Sequence, residues 1–297
     1  MAILSYGSLE NCHPTYQPVT TGCKYIQQTM LPCRMYKGLP VRRLTKRISS
    51  QPERPGVFAL RHRYATQLSF LQARLSPGSY LGLQLTVGVA VLIGASWLFG
   101  GIAEDVVTGD PLTLIDVWLA QWLHVRADPT LTRFMLVISH MHDPWVLSVV
   151  VLCLSLFLLY RRNWVWLLSV LLAVPGGMLL NILMKLAFQR ARPTFDDPVL
   201  TLVTYSFPSG HAVGATLFYG VIAAMLVIQT RSWVLRSIIV LTTLPMVALV
   251  EFSRVYLGVH YLSDVLGGLA MAVAWLTLCV VGIHTWFQHR QARQTAG

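Results

Sequence analysis

The sequence predicts an all-α, polytopic membrane protein with six transmembrane helices. Of its 297 residues, 55% are hydrophobic and 12% are charged, and the mean hydropathy is +0.57, which separates the chain from ordinary soluble proteins. The apolar residues are clustered in nearly uncharged runs of roughly 17 to 25 residues, the length needed to cross a bilayer as a helix. Basic residues are concentrated in alternate connections between those runs.

Six runs meet the length requirement, and each must be helical because lipid offers free backbone groups no hydrogen-bond partner. The second run could begin before its most apolar part, near Phe134. The predicted spans cover about residues 80–101, 144–160, 164–185, 211–230, 233–251 and 264–287.

The formal net charge of +11 would suggest a nucleic-acid partner in a soluble protein, but its distribution indicates membrane orientation. Ten lysines and arginines lie between Arg34 and Arg74, before the first span, which places the N-terminus in the cytoplasm. Pairs of basic residues in later connections and after the sixth span place the C-terminus in the cytoplasm as well. The connection after the first span carries six carboxylates against two arginines, so we expect it to face outward. We expect no nucleic-acid partner.

Four segments are predicted along the chain. Residues 1–54 show no sustained periodicity and form a poorly ordered basic N-terminal tail. Residues 55–79 place apolar residues at helical spacing among arginines, as in an amphipathic helix on a membrane surface. Residues 80–290 are the six-helix membrane domain, and residues 291–297 are a cytoplasmic C-terminal tail. Within the domain, residues 112–123 form a second amphipathic stretch that we expect in the outer interface.

We expect neither a metal nor a cofactor. The five cysteines lack the spacing of a disulfide framework or a metal site. His140, His142 and Asp143 invite a metal-site interpretation, but histidines two residues apart point to different faces of a helix. Interfacial packing, or a minor role near a pocket, is the alternative for these residues.

Four basic residues depart from the positive-inside rule, by which lysine and arginine are scarce on the outer side of a membrane. Lys185, Arg190, Arg192 and Arg254 would lie at the outer ends of the third and fifth spans, where positive charge is scarce. Convergence on an anion would explain them, and snorkelling to the interface is the alternative. Arg190 could help to attract phosphate or could be a solvated neighbour.

The first candidate motif runs from Lys185 to Pro193. Pro193 disfavours helical geometry at Arg192, so this arginine should leave the helix while Lys185 stays near its end. An ammonium and a guanidinium placed in this way can grip different oxygens of one phosphate.

The second motif is Phe207-Pro208-Ser209-Gly210-His211, at the start of the fourth span. Ser209 can cap the helix and Gly210 leaves its backbone uncovered, so free N–H groups form an anion site. His211 could donate a proton there to a departing oxygen. An ordinary capping turn with an interfacial histidine is the alternative.

The third motif extends from Ser253-Arg254 to Asp264 and joins the fifth and sixth spans. His260 and Asp264 would share a face if this segment is helical, and the carboxylate could then bind one imidazole nitrogen and leave the other free to attack. Asp264 could instead merely cap the sixth span. The polar residues Asn181 and Glu251 within spans are candidates for supporting the site or for interhelical hydrogen bonds.

Together the motifs resemble the tripartite signature of the type 2 phosphatidic acid phosphatase superfamily of lipid phosphate phosphatases, K-x6-RP, PSGH and SR-x5-H-x3-D. All three match without a departure, and the similarity covers about residues 81–286. The predicted topology brings the motifs to the outer membrane face, so we expect an outward-facing active site.

The resemblance implies a role for each matching residue. His260 would be the nucleophile that forms a phosphohistidine, Asp264 would orient it, and His211 would protonate the leaving oxygen. The phosphate would be held without a metal by Lys185, Arg192, Ser209, the Gly210 backbone and Arg254.

The expected substrate is a lipid phosphate or diphosphate in a cytoplasmic membrane, such as undecaprenyl diphosphate, phosphatidylglycerophosphate or phosphatidate. Two alternatives remain open: a lipid phosphotransferase that uses the same intermediate, and a non-catalytic protein that binds or transports a lipid headgroup. The soluble vanadate-dependent haloperoxidases of the same superfamily are disfavoured by the six apolar spans.

Overall fold

The computed structural model describes residues 83–296, and this part of the chain is entirely α-helical between its connections. The predicted tail, 1–54, and the predicted surface helix, 55–79, lie outside the described residues. The helices are α1 Leu83–Thr108, α2 Pro111–Val125, α3 Pro129–Met141, α4 Pro144–Tyr160, α5 Trp164–Phe188, α6 Gly210–Gln229, α7 Trp233–Tyr256 and α8 Leu262–Ala296.

Five helices, α1, α5, α6, α7 and α8, are individually long and apolar enough to cross a membrane. Helices α3 and α4 pass the same test only as a pair, bent by 45° at their break, so the described residues contain five candidate spans, or six if this pair counts as one. The prediction of an all-α, polytopic membrane protein is confirmed.

Several helices are longer than predicted. Helix α1 continues to Thr108 instead of ending near residue 101, because Ile102 and Ala103 are buried against Phe207. Helix α8 continues through residues 291–296, which we had expected to be a tail. Helix α7 ends at Tyr256, so Ser253 and Arg254 of the third motif are helical.

The connection after the first span is folded into two helices. Helix α2 corresponds to the predicted amphipathic stretch: Trp118 and Trp122 are exposed and stacked 6.3 Å apart, whereas Asp116 on its other face is buried. Helix α3 begins at an Asp128 cap, whose carboxylate accepts hydrogen bonds from the N–H groups of Thr130 and Leu131.

The core lies where α5, α6 and α8 pack together. Val170 and Val174 of α5 meet Leu217 of α6 and Ala272 of α8, and all four are buried. The helices also approach closely at Gly268, where an added Cβ would lie 3.0 Å from the Ser209 carbonyl oxygen. Glycine at this position therefore lets the start of α8 lie against the start of α6, which brings the second and third motifs together.

Candidate active site

Two interhelical connections meet at one end of this core. The connection between α5 and α6 carries the first two motifs, and the connection between α7 and α8 carries His260. The Ser209 N–H donates a hydrogen bond to the Asp264 carbonyl oxygen (3.0 Å), and the Ser206 N–H donates to the Arg190 carbonyl oxygen (2.9 Å). These backbone bonds join the three motifs into one site.

His260 is positioned by the turn that follows α7. The Arg254 carbonyl oxygen accepts hydrogen bonds from the N–H groups of Val259 and His260 (3.2 and 3.3 Å), which closes the turn. Gly258 has φ +68°, in the left-handed region that favours glycine. The turn directs the His260 side chain inward, where it is only 2% exposed.

His260 and Asp264 are close together, but not because they share a helical face. Helix α8 begins at Leu262, so His260 precedes the helix and Asp264 lies in its first turn. The hypothesis that His260 and Asp264 share one face of a helix is therefore wrong. The turn instead places the His260 Nδ1 atom 3.4 Å from Asp264 Oδ2, and Ser206 Oγ lies at the same distance from Nδ1.

The other imidazole nitrogen of His260 faces a cation. Arg192 Nη1 lies 3.2 Å from His260 Nε2. Because a guanidinium can only donate hydrogen bonds, Nε2 must accept, and the neutral ring then carries its proton on Nδ1, toward Asp264. This tautomer leaves the lone pair on Nε2, as a nucleophile acting through that atom requires.

Burial lowers the pKa of His260 to about 4. The hydrogen bond and charge of Asp264 oppose this shift, and the positive charges of Arg192 and Arg254 add to it. The imidazole is therefore neutral at neutral pH, so its Nε2 lone pair is available without a separate deprotonation.

The Asp264 carboxylate is fully engaged at the start of α8. It accepts hydrogen bonds from the Tyr261 N–H (2.9 Å) and from Ser206 Oγ, and it is paired with Arg190 Nη1 at 2.6 Å. The suggestion that Arg190 is a solvated neighbour is wrong, since its guanidinium lies inside this network.

The two basic residues of the first motif converge on the segment 204–206. Lys185 Nζ donates to the carbonyl oxygens of Tyr205 and Ser206 (2.6 and 3.2 Å). Arg192 leaves the helix as predicted and donates from Nε to the Thr204 carbonyl oxygen (2.6 Å). Both side chains thus hold the connection to the second motif as well as facing the site.

The second motif begins α6 as predicted, with Ser209 at the N-cap position and Gly210 as the first helical residue. The Ser209 side chain makes no capping hydrogen bond, and its buried Oγ has no partner among the described residues. Asn181 of α5 donates from Nδ2 to the Pro208 carbonyl oxygen (3.1 Å), so it supports this turn. A buried hydroxyl without a partner is costly unless a ligand satisfies it.

Arg254 and His211 complete the cluster. Arg254 is buried and donates from Nη1 to Ser139 Oγ, whereas its Nε has no partner in residues 83–296. His211 Nε2 lies 3.2 Å from Asp143 Oδ1, at the corner between α3 and α4. A histidine beside a carboxylate is suited to holding a proton and delivering it.

The histidines that suggested a metal site have other partners. His140 Nδ1 and His142 Nδ1 each lie 2.7 Å from a carbonyl oxygen of their own helix, and His142 Nε2 lies 2.8 Å from the Tyr219 hydroxyl. No group of three histidine, cysteine, aspartate or glutamate side chains in the described chain is arranged to hold a metal ion. Glu251, the other polar residue within a span, accepts an interhelical hydrogen bond from Thr216 (3.3 Å).

Three contributors to the site were missed in the sequence. Ser206 lies just before the second motif and contacts both His260 and Asp264. Asp143 was considered as a metal ligand, with interfacial packing or a minor role near a pocket as the alternative, and Asp116 was considered only as a loop charge. Asp116 stands in an apolar sequence, which is a signal of function, but the partners of both aspartates are distant in the chain and carry no local pattern.

Comparison with known proteins places the chain beside membrane phosphatases. Residues 164–288, which contain all three motifs, match the sequence profile of the PAP2 superfamily. The chain is 36% identical over 147 residues to phosphatidylglycerophosphatase B of Bacillus subtilis, which covers 49% of this chain and 71% of that protein. It is 33% identical over 102 residues to undecaprenyl-diphosphatase BcrC of the same species, which covers 33% of this chain and 48% of that protein.

A solved structure is similar as well. The crystal structure of a transmembrane PAP2 type phosphatidylglycerolphosphate phosphatase from Bacillus subtilis matches with a TM-score of 0.58 and 29% sequence identity. The match covers 63% of this chain and 93% of that chain.

Proposed function

This chain belongs to the PAP2 superfamily, and from that premise we propose that it hydrolyses a lipid phosphate or diphosphate through a phosphohistidine on His260, without a metal. The observation that supports this most directly is the orientation of the buried imidazole, with Nδ1 toward Asp264 and Nε2 toward Arg192. A purely structural or headgroup-binding histidine would have no need of this arrangement.

In the first proposed step, the Nε2 lone pair of His260 attacks phosphorus and the bond from phosphorus to the leaving oxygen breaks. His211 gives its proton to that oxygen, and the Asp143 carboxylate, 3.2 Å away, would help to stabilise the protonated ring against the cost of burial. The phosphorylated imidazole keeps its Nδ1 proton, and the Asp264 carboxylate stabilises the positive charge that the ring acquires. In the second step, water attacks phosphorus, its proton passes to His211, and the P–N bond breaks.

Phosphate binding is assigned to two buried groups of the site that have no partner among the described residues, and to the cations around them. Ser209 Oγ and Arg254 Nε would donate to phosphate oxygens, and the N–H groups at the start of α6 would add to them. Lys185 and Arg192 would stabilise the charge that develops as the bond to the leaving oxygen breaks. Each of these groups matches a position of the family motif.

We also propose an orientation and a substrate class. Both termini are assigned to the cytoplasm and the active site to the exterior, because basic residues flank the opposite ends of the spans. The site would then act on lipids whose phosphate is exposed on the outer leaflet. Two relatives are named for phosphatidylglycerophosphate and undecaprenyl diphosphate, so these are the first substrates to test.

The test is phosphate release by the purified protein in EDTA from phosphatidylglycerophosphate, undecaprenyl diphosphate and phosphatidate. We expect release from at least one of them and, after an acid-free quench, phosphate bound to the protein through an acid-labile bond. Transfer of phosphate to an added alcohol without free phosphate would favour a phosphotransferase instead. Well-folded protein that releases no phosphate from any of the three lipids would contradict the proposal.

The low pKa of His260 predicts how the activity depends on pH. Protonation of Nε2 removes the attacking lone pair, so activity should be retained as pH falls past 6 and lost as pH falls through about 4. The measurement is kcat/KM against pH, which reports ionisation in the free enzyme. Two substrates whose phosphates ionise differently serve as the control, because a fall in kcat/KM that is caused by an enzyme group occurs at the same pH with both. A fall at about pH 6.5 with both substrates, near the ordinary pKa of histidine, would contradict the prediction.

A further inference from the structure

Arg190 lies between two buried carboxylates. Its Nη1 atom is 2.6 Å from Asp264 Oδ1, and its Nη2 atom is 2.8 Å from Asp116 Oδ2. The side chain is 13% exposed, and both carboxylate side chains are fully covered. The guanidinium also donates to Ser263 Oγ (2.6 Å) and lies over the Tyr261 ring, 4.6 Å from its centre.

Asp116 connects this arrangement to a different helix. It belongs to α2 and accepts hydrogen bonds from the Ser263 N–H (2.9 Å) and from Ser263 Oγ. The Ser263 N–H is one of the groups at the start of α8 that have no partner within the helix, so Asp116 caps the helix that carries Asp264. Helix α2 is thereby tied to the base of the candidate site.

The geometry gives Arg190 a role different from that of the other basic residues of the site. Both of its terminal nitrogens are bound to protein oxygens, whereas the buried Nε of Arg254 has no partner in the part of the chain that the structure describes. Burial alone would lower the pKa of Arg190, but the charges and hydrogen bonds of Asp264 and Asp116 raise it, so the side chain stays cationic. Arg190 is therefore suited to holding a carboxylate and not to binding phosphate.

The two oxygens of Asp264 are divided between two tasks. Oδ1 is bound by Arg190, and Oδ2 faces His260 Nδ1, Ser206 and the Tyr261 N–H. A carboxylate fixed on one side by a guanidinium cannot rotate away from the imidazole on its other side. Without Arg190, two buried carboxylates would remain in the same region with no cation between them.

We propose that Arg190 and Asp116 are positioning residues that fix Asp264, and through it the reactive orientation of His260. This inference rests on the proposed phosphatase function. It assigns a part in the reaction to an arginine at a position that the first motif leaves unspecified and to an aspartate on the helix that the sequence associates with the membrane interface.

The first test is the effect of Arg190→Gln on steady-state kinetics. We expect kcat to fall roughly 10- to 100-fold, the range for residues that orient a reacting group from behind. KM and the inhibition constant of orthovanadate, a phosphate analogue, should change less than about 2-fold, because the phosphate ligands are untouched. Arg190→Lys should restore only part of kcat, since an ammonium cannot bridge both carboxylates as the planar fork does. Arg133→Gln, on an exposed arginine of α3, is the matched control.

The second test is a double-mutant cycle with Asp264→Asn. If Arg190 acts through Asp264, adding Arg190→Gln to Asp264→Asn should lower kcat by less than about 2-fold further. Independent, multiplied losses, or a rise in KM and in the vanadate constant, would show that Arg190 contacts phosphate and would overturn the inference. A merely structural role would lower thermal stability without this dependence on Asp264.

Asp116→Asn keeps the test decisive if Arg190→Gln does not fold. Asparagine preserves the size of the side chain and an acceptor for the Ser263 N–H, but it removes the charge that faces Arg190. We expect a several-fold loss of kcat with KM unchanged, and an unchanged kcat would overturn the role of Asp116. The wild-type rate distinguishes failure of the proposed function from failure of this inference: an inactive wild-type protein would rule out the proposed function, whereas an active wild-type protein with unaffected variants would rule out only the positioning roles.

Discussion

His260→Gln is expected to lower the rate of phosphate release by roughly 10⁴-fold or more, the scale seen when a catalytic nucleophile is removed. Glutamine approximates the size of histidine and can still hydrogen-bond to Asp264, but its amide nitrogen has no available lone pair. No covalent intermediate can then form, and only phosphate binding and the remaining charges would act on the substrate. The measurements are the initial rate of phosphate release and the amount of phosphate trapped on the protein.

The control for this prediction is His140→Gln. His140 is an exposed histidine of α3 whose Nδ1 atom lies 2.7 Å from a carbonyl oxygen of its own helix. Its activity and trapped phosphate should match those of the wild-type protein. If His260→Gln folds with an unchanged helical signal and retains more than about a tenth of the wild-type rate, His260 is not the nucleophile.

His211→Gln should give a loss that depends on the leaving group. For a lipid alkyl phosphate, whose leaving oxygen needs a proton, we expect roughly a 10²- to 10⁴-fold loss in kcat, the usual contribution of a general acid. For p-nitrophenyl phosphate, whose leaving oxygen is weakly basic, the loss should be less than about 10-fold. The comparison uses the same preparation of each protein with both substrates.

This difference between substrates separates proton donation from phosphate binding. Loss of a side chain that only binds the phosphate group would lower kcat equally for both substrates. Equal losses would therefore contradict the general-acid role. Asp143→Asn provides a companion measurement, because Asp143 Oδ1 lies 3.2 Å from His211 Nε2. It should show the same dependence on the leaving group at a smaller magnitude.

The parts of the fold that could be predicted are those set by local properties of the chain. The length of an apolar run determines whether it can span a bilayer, so the spans could be found without knowing their neighbours. Proline disfavours helix at the residue before it, so the position of Arg192 beyond the end of α5 was also predictable. Helix α6 starts next to Ser209 as predicted, although the serine side chain makes no capping hydrogen bond. The motif residues could be identified because each motif is contiguous.

The helix ends depended partly on tertiary packing. Helix α1 continues past its predicted end because Ile102 and Ala103 are buried against Phe207, a residue far along the chain. His260 and Asp264 were paired in the sequence by helical spacing, yet the structure pairs them through a turn that precedes α8. The correct partners were thus found for an incorrect geometric reason.

By itself, the sequence determined that this protein is a helical membrane protein and which residues of its three motifs are candidates for phosphate chemistry. Only the tertiary structure decided which side chains contact those residues. Ser206 and Arg190 contact Asp264, Asp116 contacts Arg190, and Asp143 contacts His211. The physical reason is that hydrophobic length and helix capping act over a few neighbouring residues. A buried ion pair, in contrast, is set by which helix ends meet, and at a separation of 74 positions between Asp116 and Arg190 no local sequence pattern records that contact.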